Sequence, residues 1–117
     1  MPPAAVSSHG VRRLHPMLGK RVAAKRIERQ LRSVVVDLKA ARDRVAIAKE
    51  QYEAFRDDDE EARMRSLGSD AVEDRHVAEQ AKRHAEVMRQ ELERAEGHVA
   101  ALERSRDELL SRYEPSS

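Results

Sequence analysis

The sequence predicts an all-α protein: two long helices forming an antiparallel coiled-coil hairpin, preceded by a disordered N-terminal arm. Three observations predict it. Of 117 residues, 38% are charged and 39% hydrophobic, while only Tyr52, Phe55 and Tyr113 are aromatic and Gly and Pro number four each. Turn residues that scarce do not build a sandwich or barrel, and the blend is that of long helices. Apolar residues recur on a seven-residue repeat from about Met17, and the repeat breaks at Leu67-Gly68-Ser69-Asp70 before resuming in a second register.

Residues 1–15 hold Pro, Ser and Gly with no apolar period, the composition of a disordered arm. No acidic residue precedes Glu28, a feature shared with mitochondrial presequences, but an exposed basic arm is the plainer reading. The apolar core of a secretory signal is lacking.

The first helix is expected over about 17–67, with Pro16 in its first turn, where a missing N–H is harmless. Its inward pairs are Ala24/Ile27, Leu31/Val34, Leu38/Ala41, Val45/Ala48, Tyr52/Phe55 and Asp59/Ala62. The turn is expected at 68–70. Gly68 can adopt the left-handed conformation that closes a helix, and Asp70, with Glu73 three residues on, can form a variant of the capping box. The second helix is expected over about 71–113, with Ala71/Asp74, Ala78/Ala81, Ala85/Met88, Leu92/Ala95, Val99/Leu102 and Arg106/Leu109 facing inward. The hairpin thus spans 16–114, and Pro115 opens a short tail over 115–117.

A short connection makes the helices antiparallel. Facing positions whose numbers sum to 140 then bring inward residues together: Leu31 with Leu109, Leu38 with Leu102, Ala41 with Val99, Val45 with Ala95, Ala48 with Leu92, Tyr52 with Met88 and Phe55 with Ala85. Most layers pair large with small, which fills a narrow seam without voids. One apolar stripe per helix is little burial against the entropy of ordering the chain. A partner or a second copy is therefore expected.

The formal net charge of +1 conceals a strong asymmetry: residues 1–50 carry twelve Lys/Arg against four Asp/Glu, residues 51–75 four against nine, and residues 76–117 seven against nine. Arg12, Arg13, Lys20, Arg21, Lys25, Arg26, Arg29 and Arg32 form a basic stretch opposed only by Glu28. Such a stripe suits the phosphates of nucleic acid, anionic lipid or an acidic protein groove, or simply solubilises the helix. No aromatic residue interleaves with it, so base stacking on single strands is not expected. A second apolar stripe lies outside the seam at Val22, Val36, Ala40, Ile47 and Ala54, compatible with a docking face or with ordinary exposed apolar residues. Val35, one position round, is expected to flank the seam.

Catalytic chemistry finds little footing. There is no cysteine, no glycine-rich phosphate loop, no nucleophile elbow and no HExxH. His76, His84 and His98 are too far apart to share a metal and read as seam-flanking residues. Asp57, Asp58, Asp59, Glu60 and Glu61 form an acidic run. Paired carboxylates there are compatible with Mg²⁺, but the plainer reading is a solvated face partly neutralised by Arg63 and Arg65. Asp59, in the seam, is expected to loosen the helices or fix their register. No metal, cofactor or enzymatic activity is expected. No stretch approaches the ~20 apolar residues of a membrane span, mean hydropathy is −0.81, and the expected setting is cytoplasmic.

The acidic run also resembles a known pattern. Asp57-x-x-Glu60-x-Ala62 is similar to the acidic-x-x-acidic-x-Ala pattern of secondary-channel factors of the DksA type, whose helical hairpins present carboxylates to RNA polymerase. The resemblance covers about six residues and the architecture; the cysteines of that family's zinc module are lacking. It implies a transcription regulator whose partner is RNA polymerase. The residues themselves point first to a protein-interaction module that docks on a larger assembly or pairs with itself, with nucleic acid as a further partner of the basic stretch.

Overall fold

The computed structural model describes residues 3–113, with side chains from Gly19 onward. It consists of α1 (Pro3–Leu67) and α2 (Val72–Arg112), with no strand among the described residues. The two helices pack against each other as a hairpin. α1 starts upstream of the Met17 that the repeat predicts and takes in most of the expected arm. Pro3 stands in the first turn, where proline is tolerated, and Ala4 and Ala5 are strong helix formers. Residues 115–117, expected as a tail, lie outside the described residues.

Two compact units divide the chain. The turn unit, Asp37–Glu103, holds the connection between the helices; the terminal unit combines the chain up to Val36 with the chain from Arg104 onward. In each, the residues withdrawn from solvent are those of the seven-residue repeat. On α1 of the turn unit, Leu38, Ala41 and Ala62 are buried and Val45, Ala48, Tyr52, Phe55 and Asp59 half-buried. Opposite them, Ala85 is buried and Ala78, Ala81, Met88, Leu92, Ala95, Val99 and Leu102 half-buried. The terminal unit repeats the pattern: Ala24, Ile27, Leu31 and Val34 on α1 and Arg106 on α2 are half-buried, and Leu109 is buried. Among the described residues Leu38 is the most enclosed side chain, at 2% exposure.

The register agrees with the sequence. Phe55 meets His84 edge to face at 5.9 Å, and Tyr113 hydrogen-bonds Glu28. The numbers of these two pairs sum to 139 and 141, on either side of the predicted 140. Ala71 alone among the predicted inward positions is exposed, because it belongs to the connection and not to α2.

The connection itself is built differently from expectation. No described glycine has a positive φ, so Gly68 does not close α1 through the left-handed region. The last turn tightens instead: the Gly68 amide donates to the Arg65 carbonyl and the Ser69 amide to the Ser66 carbonyl, each at 3.3 Å, the three-residue spacing common at helix ends. Nor is Asp70 the cap. The Ser69 hydroxyl accepts the Ala71 amide at 3.1 Å, and the Ala71 carbonyl accepts the Arg75 amide, which puts Ala71 at the capping position. Glu73 and Asp74 then occupy the first turn of α2, where negative charge suits the helix dipole.

Candidate functional site

Three surfaces follow from residues left over once the seam is filled. The first is basic and lies in the terminal unit. Ala24, Ile27, Leu31 and Val34 turn inward, so helical geometry sends Arg21, Lys25, Arg26, Arg29 and Arg32 outward. These five and Lys20 are all exposed. None forms an ion pair among the described residues. Glu28, the sole carboxylate before Asp37, is engaged elsewhere: Tyr113 Oη donates to its Oε1 at 2.8 Å. Arg32 Nε donates to the Glu28 backbone carbonyl at 3.5 Å and not to the carboxylate. The hydrogen bond to Glu28, its negative charge and partial desolvation together hold the Tyr113 hydroxyl above its ordinary pKa. The side chains of Arg12 and Arg13 lie outside the described residues.

The second surface is acidic and belongs to the turn unit. Asp57, Asp58, Glu60 and Glu61 are exposed, and Asp59 is half-buried in the seam as its position predicts. Asp57 lies 3.5 Å from Arg56, and Arg65 donates to Glu61 at 3.2 Å. Asp58 and Glu60 have no cationic partner among the described residues, and Arg63 pairs with neither. No three His, Asp or Glu side chains converge as metal ligands among the described residues. His84 packs on Phe55, and His98 borders a groove instead of meeting another histidine.

Apolar side chains make the third. In the terminal unit Val22 and Val36 are exposed, Val36 at 67%. Val35, expected beside the seam, is exposed as well, because α2 is a single helix and covers only the inward stripe of α1. In the turn unit Ala40 is exposed, and Ile47 stands 56% exposed on the rim of an open groove floored by Ala41, Ala48 and Ala95. The groove exists because consecutive seam layers there contain alanine, which stops short of the surface. Sequence reasoning missed Met64, Leu67 and Val72, which flank the connection and are all more than 60% exposed. Their signal was present: none of the three falls on the inward repeat.

Arg89 organises the polar side of α2. It bridges Glu86, at 2.6 Å, and Glu93, the i, i+3 and i, i+4 spacing of helix-stabilising pairs. Its guanidinium holds the Glu86 carboxyl below the usual carboxylate range. This cluster braces a helix. No known protein family, curated protein or solved structure matches the chain.

Proposed function

We propose that this chain is a non-enzymatic coiled-coil module for protein–protein interaction, docking on a larger assembly or pairing with a second copy. The observation that supports it best is the exposure of Ile47 beside the alanine-floored groove. A large aliphatic side chain next to an open trough with an alanine floor and polar walls (Arg44, Gln51, Glu91 and Arg94) is an arrangement a third helix fills, by burying the rim residue and seating its own side chains in the trough. Leu67 and Val72, both more than 70% exposed, offer further apolar area at the connection. A photo-crosslinking residue at Ile47, with molar mass measured in solution, tests the reading. Crosslinks from that position to a defined partner or to a second copy are expected; a monomer that crosslinks to nothing in an extract of its native source contradicts it.

A second reading rests on the acidic run. Asp58 and Glu60 are exposed and form no ion pair among the described residues, which suits carboxylates presented to another macromolecule, RNA polymerase on the resemblance above. Transcription in vitro decides it: an effect of the parent lost in Asp57→Ala/Glu60→Ala supports this reading, and identical transcription with both proteins removes it.

A further inference from the structure

The basic row of α1 has a property the sequence alone does not show: its one potential internal counter-charge is withdrawn. Within residues 1–36 the only carboxylate is that of Glu28, at helical distance from Lys25 and Arg32. An i, i+3 or i, i+4 pair would ordinarily form there. The Tyr113 hydroxyl takes the carboxylate instead, while Arg32 turns to a backbone carbonyl. Six exposed cations therefore stand along residues 20–32 without a neutralising partner among the described residues.

We propose that this row binds the phosphate backbone of a nucleic-acid duplex, independently of base sequence. Three physical features of the row select that ligand among polyanions. A helix that lies on a membrane needs a continuous free apolar face to bury among the acyl chains; here Ile27, Leu31 and Val34 are drawn into the seam, and the exposed Val22 and Val36 are interrupted by Arg29 on the same seven-residue row. A single strand is gripped by stacking its bases on aromatic rings, and residues 19–36 contain none. An acidic protein groove offers few carboxylates at irregular spacing, whereas point-charge attraction along a row favours the dense, regular array of phosphates that a duplex provides at one charge per ~1.7 Å of axis. From Arg21 to Arg32 the row runs about 16 Å along the helix, enough to face several phosphates at once. On the α2 side of the terminal unit Arg104, Arg106 and Arg112 balance Asp107, Glu108 and Glu114, so that side adds no net negative charge.

The test titrates the full chain into a fluorescent mixed-sequence DNA duplex over a series of salt concentrations. Single-stranded DNA of the same sequence and vesicles containing anionic lipid are run in parallel. Four to six phosphate contacts predict a log–log salt slope of about −3.5 to −5.5. The variant Arg21→Gln/Lys25→Gln/Arg26→Gln/Arg29→Gln keeps good helix formers on the outer face and should retain the parent's circular dichroism. It is expected to bind about a hundredfold more weakly near physiological salt, with a much flatter slope. Absent duplex binding at low salt, a slope near zero, equal binding by parent and variant, or preference for vesicles or single strands each overturns the proposal.

Discussion

The Tyr113 hydroxyl donates to the Glu28 carboxylate at 2.8 Å, joining residues 85 positions apart in the sequence. The contact fastens the end of α2 to α1 within the terminal unit, next to the seam pair Leu31 and Leu109. It also engages Glu28, whose carboxylate forms no ion pair with Lys25 or Arg32 among the described residues.

Removing that hydroxyl is therefore expected to weaken the fold and to alter its alkaline limit. The Tyr113 pKa is raised above the ordinary 10.0, so the bond stabilises the folded chain fully below that value and is lost as pH rises through the raised pKa. Melting temperatures of the parent and Tyr113→Phe, measured on both sides of the tyrosine range, check the sign. The parent should be the more stable at neutral pH, and its margin over the variant should shrink under alkaline conditions.

Leu38 is the most enclosed side chain among the described residues, and its replacement should be the most damaging of the seam truncations. Leu38→Ala is expected to cost about 2–4 kcal/mol, read as a lower urea midpoint. The exposed Val36, two positions away and outside the seam, provides the contrast: Val36→Ala should stay within about 0.5 kcal/mol.

The glycines give a third expectation, and it runs against the sequence reading. Gly68 lacks a positive φ, and a Cβ there would approach only the Arg65 carbonyl, at 4.0 Å. Gly68→Ala should therefore be neutral or stabilising by up to about 1 kcal/mol. Gly97 lies inside α2 with nothing within 4 Å of its would-be Cβ, so Gly97→Ala should raise stability by about 0.5–1 kcal/mol. Chemical denaturation of both variants checks this; a marked loss at Gly68 would mean the connection needs a left-handed residue after all.

The seam was legible because a seven-residue period over two long stretches has one geometric solution once the chain doubles back. Every inward position from Ala24 to Ala62 and from Asp74 to Leu109 is buried or half-buried. The connection was not legible at the same resolution. Gly68, Ser69, Asp70 and Ala71 can satisfy a helix end in several ways, and the choice of Ser69 over Asp70 turns on a hydroxyl meeting one backbone amide. Val35 was misplaced for a related reason: a single partner helix covers a narrower stripe than the apolar run Val34-Val35-Val36 suggests. The basic and acidic residues were visible in the sequence. The withdrawal of Glu28 by Tyr113 was not, since nothing local links positions so far apart.

The doubling back at Gly68 is tested most directly by oxidative crosslinking of a cysteine pair placed in one seam layer, Val45→Cys/Ala95→Cys, in the naturally cysteine-free chain. A rapid intramolecular disulfide, independent of protein concentration, is the predicted result, with the pair Val45→Cys/Leu102→Cys, one repeat out of register, crosslinking far more slowly. Crosslinks that form only between chains, or equally well in both registers, would contradict the hairpin.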